Sequence, residues 1–477
     1  MFFIHGGSYK TNGGRFYPGE WLAAAGQVIV ITINYRLGVL GFLSTEDDTA
    51  KGNYGLLDQI LALKWVKDNI AAFGGNSSDV TIFGNSAGGA CVGLHLISPM
   101  SRGLFSKAIA QSGSPIGEWA VQRRPRMYVE RLAKKLKCPD VNDSATILQC
   151  LRKIDPEQII DKSEDAACLL LAYQDKDPSS IPFTKDLLRK YLLHLVRKDF
   201  MSGIAADVLL HAVYTEYVYR HGTTSHHKKR RQQQHKMSNG TMPYYENNSS
   251  VLPDIRTLGK IISDIDLKAP SVKLVNLLTL HPSVSVYMYE FDYASSDDVI
   301  ANKYVGAKNS WVGSYHESEL YYIFGFPHMN LSNALRLPED KEVSNIMIQL
   351  WTDFAKHGNP TPRGVNEENM VKNFTWRQYT EEEDCFATLG LQPFVARSYE
   401  SERMTFWNHF VPLFTEYPIL ISPNHTKNVP FEECNFTYLL TFAGWLLAII
   451  LLILVLHLCS CKMFKNFGVM KKIPIPV

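Results

Sequence analysis

The run Val80-Thr81-Ile82-Phe83-Gly84-Asn85-Ser86-Ala87-Gly88-Gly89 leaves the chain little choice of local structure. A β-branched stretch stops at a glycine and a serine follows one residue later. Small residues then open an apolar segment through Cys91, Val92, Leu94 and Leu96. The order predicts a strand, a sharp turn and a helix, with Ser86 at the apex. Gly84-x-Ser86-x-Gly88 is the nucleophile-elbow pattern, a turn that strains the serine backbone and leaves no room for side chains beside it, and glycine meets that demand. At a helix N-terminus the Ser86 hydroxyl would face the Ala87 N–H and the positive end of the helix dipole, which favour negative charge developing there. An ordinary strand-to-helix turn has the same composition, so the pattern gains force only from its company.

That company starts with His5-Gly6-Gly7, which follows the apolar Phe2-Phe3-Ile4. Glycine turns of this kind supply further oxyanion N–H groups in esterases and lipases. The segment from Val28 to Tyr35 is apolar and β-branched without alternation, which predicts a fully buried parallel strand. Tyr54 to Phe73 is amphipathic at helical spacing through Leu57, Ile60, Leu61, Val66 and Ile70, with Gly74-Gly75 as its stop. Lys107 to Gln111 reads as the next strand. Strand alternating with helix predicts a parallel sheet covered on both faces, with its site at the strand C-terminal ends, where His5 to Gly7 and Ser86 fall. Beyond these, Met127 to Cys150 reads as helix then loop, and Ile181 to Tyr219 as largely helical. Ile255 to Leu278 reads as helix and Ser285 to Phe291 as a strong strand. Ser344 to His357 is a helix stopped by Gly358-Asn359-Pro360, and Tyr399 to Leu413 is a closing helix.

A chain of 477 residues that is 45% hydrophobic can bury a large core and is not a disordered protein. Its formal net charge of +2 gives no global reason to bind nucleic acid. The basic run His226 to Arg231 is local, inside a low-complexity segment, 221–250, that reads as a solvated, disordered insertion. Eight cysteines are few for a disulfide scaffold. Cys138 and Cys150 nevertheless bracket a short polar loop in the manner of an extracellular staple, the alternative being two unpaired buried thiols. Sequons at Asn76, Asn142, Asn239, Asn247, Asn248, Asn330, Asn373, Asn424 and Asn435 favour the secretory pathway.

Tyr438 to Leu458 carries no charge and, at 1.5 Å per residue, spans about 31 Å as a helix, enough to cross a bilayer core. Lys462, Lys465, Lys471 and Lys472 follow it and Glu432 and Glu433 precede it, so the lysine side is expected in the cytoplasm. The predicted organisation is an extracellular domain over 1–416, a stalk over 417–437, a single transmembrane helix over 438–458 and a cytoplasmic tail over 459–477, placed at the plasma membrane. Cys459 and Cys461 beside the membrane are candidates for palmitoylation. Because Met1 to Ile4 already reads as a buried strand with no signal peptide ahead of it, further residues are expected upstream.

Taken together, these residues resemble the type-B carboxylesterase and cholinesterase family, which also contains the adhesion proteins called neuroligins. The resemblance runs through His5-Gly6-Gly7, Asn34-Tyr35-Arg36-Leu37-Gly38, Gly52 to Gln59, Ala72 to Asn76, the elbow, and Gln111-Ser112-Gly113-Ser114. It continues in Tyr315-His316-Glu317-Ser318-Glu319-Leu320, Phe324-Gly325 and Phe406-Trp407. It implies an α/β-hydrolase fold, here N-terminally truncated and followed by the transmembrane helix. It also implies a triad in chain order serine, acid, histidine: Ser86 as nucleophile, His316 as general base and Asp177 in the acid slot. Around Asp165 to Cys168 the family's longer segment is deleted, and a solvated loop aspartate is the alternative for Asp177. The resemblance further implies an oxyanion hole of Gly6, Gly7 and Ala87 N–H groups and a Cys138–Cys150 disulfide. Asn85 stands where cholinesterases usually carry glutamate.

Two functions follow as expectations. One is a membrane-anchored serine esterase acting on a small-molecule ester with no cofactor and no metal. The other is a neuroligin-like adhesion protein that binds a neurexin-like partner on an opposing cell, with little or no catalysis. A homodimer, and a PDZ-type partner at Ile475-Pro476-Val477, complete the expected partners.

Overall fold

The computed structural model of the protein describes residues 1–163, 212–213, 216–217, 255–297, 313–329, 335–362, 371 and 374–412. The chain divides into two units, Met1–Glu416 and Tyr417–Val477. The second lies outside the described residues, together with the expected stalk, transmembrane segment and tail, the insertion 221–250 and nearly all of 181–219. Among the described residues, no helix is long and apolar enough to cross a membrane.

Four parallel strands fix the first half. β1 (Phe2–Ile4) lies between β2 (Ile31–Thr32) and β3 (Thr81–Asn85), and β3 pairs with β4 (Lys107–Gln111). The register sets Ile4 beside Gly84 and Asn85 beside Gln111, so the glycine turn leaving β1 and the serine turn leaving β3 emerge at one level. β1 and β3 are buried along their whole length, as apolar runs covered on both faces should be. The Val28 to Tyr35 segment behaves differently from its sequence expectation. Among the described residues only Ile31 and Thr32 pair, with β1, and the run from Val28 to Ile33 is half-buried.

The helices cover this sheet. α1 (Glu20–Gly26) and α2 (Gly38–Phe42) precede α3 (Tyr54–Asn69), which continues as a 3₁₀ turn to Phe73 and ends at Gly74 with φ +79°. Its inward positions are Ile60, Leu63 and Val66, joined by Ile70 in the turn, all packed with Phe2, Ile4 and Ile82. Leu57 and Leu61, expected in the core from spacing, are instead exposed, Leu61 at 68%. They sit about a turn apart on a helix whose apolar residues are interleaved with Asp58, Gln59, Lys64, Lys67 and Asp68, so periodicity does not single out one face. α4 (Ala87–Ile97) runs back along β3 and β4. α5 (Pro125–Lys135), α6 (Ser144–Leu151) and α7 (Pro156–Ser163) follow, and a disulfide joins Cys138, after α5, to Cys150 within α6.

In the second half, α8 (Ile255–Ser263) passes through one π turn, Asp264–Lys268, into α9 (Ala269–Thr279). β5 (Tyr289–Phe291) is parallel to β6 (Cys385–Leu389), which is antiparallel to β7 (Phe394–Arg397). The strand expected over Ser285 to Phe291 pairs only at its last three residues. Val286 and Met288 are buried against Ala269, Val272, Phe386 and Tyr399, and their carbonyls accept from Tyr379 N–H at 2.7 Å and Ala387 N–H at 2.9 Å. α10 (Ser318–Ile323) and α11 (Pro338–His357) fill the centre, and Gly358 closes α11 at φ +69°. α12 (Ser401–Thr405) leads into a π turn over Phe406–Phe410. Among the described residues no strand joins β4 to β5. The two sheets instead share one core in which Phe3, Phe83 and Leu22 pack with Phe291, Phe324, Trp351 and Leu389.

Candidate active site

Ser86 occupies the turn between β3 and α4 with φ +53° and ψ −123°. A non-glycine residue there stores on the order of 1–3 kcal/mol, and such strain persists only where the surroundings impose it. They do so here. Ser86 N–H donates to Gln111 O at 2.8 Å, Ala90 N–H donates to Ser86 O at 2.9 Å, and a Cβ on Gly88 would stand 2.0 Å from Ile4 O. The serine is half-buried while the residues on either side of it are buried.

The glycine turn packs directly on this elbow. A Cβ on Gly6 would stand 3.0 Å from the Ser86 Cβ and 2.7 Å from Asn85 O, so only glycine fits without displacing them. Gly6 N–H donates to Asn85 Oδ1 at 3.0 Å. Among the described residues, Gly7 and Ala87 N–H donate to no protein acceptor. His5 is buried, stacked on Tyr35 at 4.5 Å, and its Nδ1 meets Gly6 O at 2.8 Å. Burial lowers its pKa, which suits a neutral ring that shapes the turn.

His316 lies in the turn before α10 with one side open to water, and the protein crowded around its other side lowers its pKa from 6.5. A depressed imidazole is a base rather than a cation at neutral pH, as a proton acceptor needs to be. No hydrogen bond joins Ser86 Oγ to His316 among the described residues. Their neighbours in sequence do meet: Asn85 Nδ2 donates to Glu317 Oε1 at 2.7 Å, which holds the histidine turn against the elbow. Asp177 lies outside the described residues, as do Asn239, Asn247, Asn248, Asn330, Asn373, Asn424 and Asn435. Asn76 and Asn142 are exposed in turns. Arg126 Nη2 donates to Asn142 O at 2.6 Å and leaves that side chain free of the contact.

Two carboxylates of the site went unread in the sequence. Glu317 carries a raised pKa because burial outweighs its Asn85 hydrogen bond. Glu319 is 4% exposed, accepts from Gln111 Nε2 at 3.1 Å, and is pushed by burial up to about 7. Gln111 Oε1 in turn accepts from Trp351 Nε1 at 3.4 Å, so one glutamine at the end of β4 links the elbow sheet to α10 and α11. Alternation of polar residues in His316-Glu317-Ser318-Glu319 gave no sign of which would be buried. Elsewhere a histidine does meet a serine, His95 Nδ1 to Ser101 Oγ at 2.7 Å, with His95 Nε2 on Gln59 Oε1 at 2.8 Å. It is sealed in the core beneath α4 and meets no solvent, so it belongs to packing. Among the described residues no cluster of ligating side chains could hold a metal ion.

This geometry agrees with what the chain resembles. The sequence profile of the carboxylesterase family matches residues 1–407. Neuroligin-2 of Mus musculus is 32% identical over 443 residues, covering 86% of this chain and 51% of its own length. Neuroligin-3 of Homo sapiens is 32% identical over 462 residues, covering 90% of this chain and 53% of its own. Bile salt-activated lipase of Homo sapiens is 29% identical over 476 residues, with 90% and 59% covered. The chain spans about half the length of the curated relatives it matches. A profile match over nearly all of the first unit, together with a strained serine between buried glycines, establishes that the chain belongs to the carboxylesterase family.

Proposed function

We propose that the protein is a membrane-anchored serine esterase whose nucleophile is Ser86. The observation that carries the reading is the elbow itself, a serine held at φ +53° at the start of α4 with a glycine turn packed on its Cβ. Ser86 Oγ attacks the ester carbonyl while His316 takes its proton and returns it to the leaving alcohol. Ala87 and Gly7 N–H groups meet the oxyanion, while the Gly6 N–H, given to Asn85 Oδ1 at 3.0 Å, holds the glycine turn in place beside them. Asp177 orients His316, and water then releases the acyl group. The apolar segment 438–458 holds the domain outside the plasma membrane, where Asn76 and Asn142 are open to glycosylation. In the test, the full chain is incubated with a fluorophosphonate probe, with Ser86→Ala as control. Stoichiometric label on Ser86 is expected, and a folded chain that takes none overturns the reading.

A second reading rests on the 32% identity to neuroligins over 86% of the chain. In it the same domain binds a neurexin-like ectodomain on an opposing cell, acts as a homodimer, and presents Ile475-Pro476-Val477 to a PDZ-type groove. Cells displaying the chain are expected to capture a soluble neurexin-like ectodomain, and absence of capture at micromolar concentration removes this reading.

A further inference from the structure

Glu317 stands where both backbone and solvation disfavour it. Its φ is +75°, left-handed for a residue with a Cβ, and its half-buried carboxylate has no ion-pair partner among the described residues. Burial raises its pKa, the mark of a carboxylate short of solvent and of positive charge. A residue that pays in strain and in desolvation together survives where the surrounding structure over-determines it. The contact that answers this cost is the 2.7 Å hydrogen bond from Asn85 Nδ2.

Asn85 is fully buried, and both ends of its amide are used, Nδ2 toward Glu317 Oε1 and Oδ1 toward Gly6 N–H at 3.0 Å. Only one orientation of the amide satisfies both, since the oxygen cannot donate and the nitrogen cannot accept. The chain Glu317–Asn85–Gly6 therefore ties three segments: the turn that carries His316, the last residue before Ser86, and the glycine turn that follows β1.

Resting on the esterase reading of Ser86, we propose that Glu317 is a positioning residue, which through Asn85 locks the glycine turn of residues 5–7 against the serine elbow. A carboxylate acceptor makes the Asn85 bond charge-assisted and stronger than a neutral pair. With Asn85 held, the Gly6 peptide cannot rotate, and the Gly7 N–H beyond it keeps one direction. Catalytic donors lose most of their value when they must be reoriented in the transition state.

The test uses the full chain and two substitutions. Glu317→Gly removes the carboxylate and relieves the left-handed backbone, so the variant is expected to fold. Glu317→Gln keeps an acceptor for Asn85 without charge. Two readouts are followed, hydrogen–deuterium exchange in the peptide spanning residues 3–8 and the rate of fluorophosphonate labelling. Glu317→Gly is expected to speed exchange of the Gly6 amide roughly tenfold and to slow labelling about 10²-fold. Exchange in residues 144–151, far from the tether, should stay at its wild-type rate. Glu317→Gln, which keeps an acceptor but not its charge, should fall between Glu317→Gly and wild type in both quantities. Unchanged Gly6 exchange in Glu317→Gly, or a Glu317→Gln variant as impaired as the glycine, overturns the proposal. A wild-type chain that takes no label removes the esterase reading instead, and Gly6 exchange in the two variants then decides the tether by itself.

Discussion

The two halves of the domain reach order by different means. Around β1, β3 and α4 the backbone itself is the close-packed surface: Gly6, Gly84 and Gly88 leave no space for a Cβ. Around β5, β6 and α9 to α12 the ladders are of similar length, three and four residue pairs, but side chains do the joining. Arg403 Nε donates to Asp264 Oδ2 at 2.8 Å and Tyr217 OH to the same oxygen at 2.5 Å, and Trp407 Nε1 donates to Tyr217 OH at 2.5 Å. Trp351 and Trp376 pack with Tyr289. The first kind of order is written in small residues at fixed spacing and tolerates no addition. The second depends on polar groups matched across 47 to 190 positions and tolerates no deletion.

The contrast is broken most directly at Gly88. Adding a methyl 2.0 Å from Ile4 O must move β1 or α4, so Gly88→Ala is expected to cost about 5 kcal/mol, at the far end of single-site effects. Urea unfolding measures it, and a shift below about 1 kcal/mol would show the elbow to be more pliable than its geometry. In the other half, Arg403→Met strips the cation from a fully buried carboxylate. Burial already holds Asp264 above its usual range despite Arg403, and removing one partner of such a pair costs about 3–5 kcal/mol. A small loss in the same urea measurement would mean that Tyr217 satisfies Asp264 by itself.

The junction between the halves gives the smallest effect, and it depends on pH. Glu319 has a folded-state pKa of about 7 against an ordinary 4.5, so the folded state holds the proton more tightly than the unfolded chain. Its contribution is intact below pH 4.5 and is lost as pH rises to 7. Glu319→Gln is therefore expected to match wild type near pH 4.5 and to exceed it above pH 7, by on the order of 3 kcal/mol. Thermal unfolding at the two pH values checks the sign, and equal stability at both would show that solvent reaches this carboxylate.

What was legible in the sequence follows the same division. Gly84-Asn85-Ser86-Ala87-Gly88 and His5-Gly6-Gly7 announced their turns because only glycine fits where backbone meets backbone, a constraint local enough to leave a fixed spacing. The stop at Gly74 and the strand Lys107–Gln111 were visible for similar reasons. Leu57 and Leu61 could not be placed because apolar and charged residues are interleaved around their helix and hide which side is inward, and Val28 to Tyr35 could not because composition says nothing of how many partners a strand will find.

By itself, the chain determined where its turns and buried runs lie and that a serine would stand on one of them, since those outcomes depend on near neighbours. The tertiary structure alone decided that Glu317 reaches Asn85 across 232 positions, that Glu319 is sealed beside Gln111, and that the two sheets join through a shared aromatic core. Burial and hydrogen-bond pairing over that distance are properties of the packed whole, so no run of residues carries them.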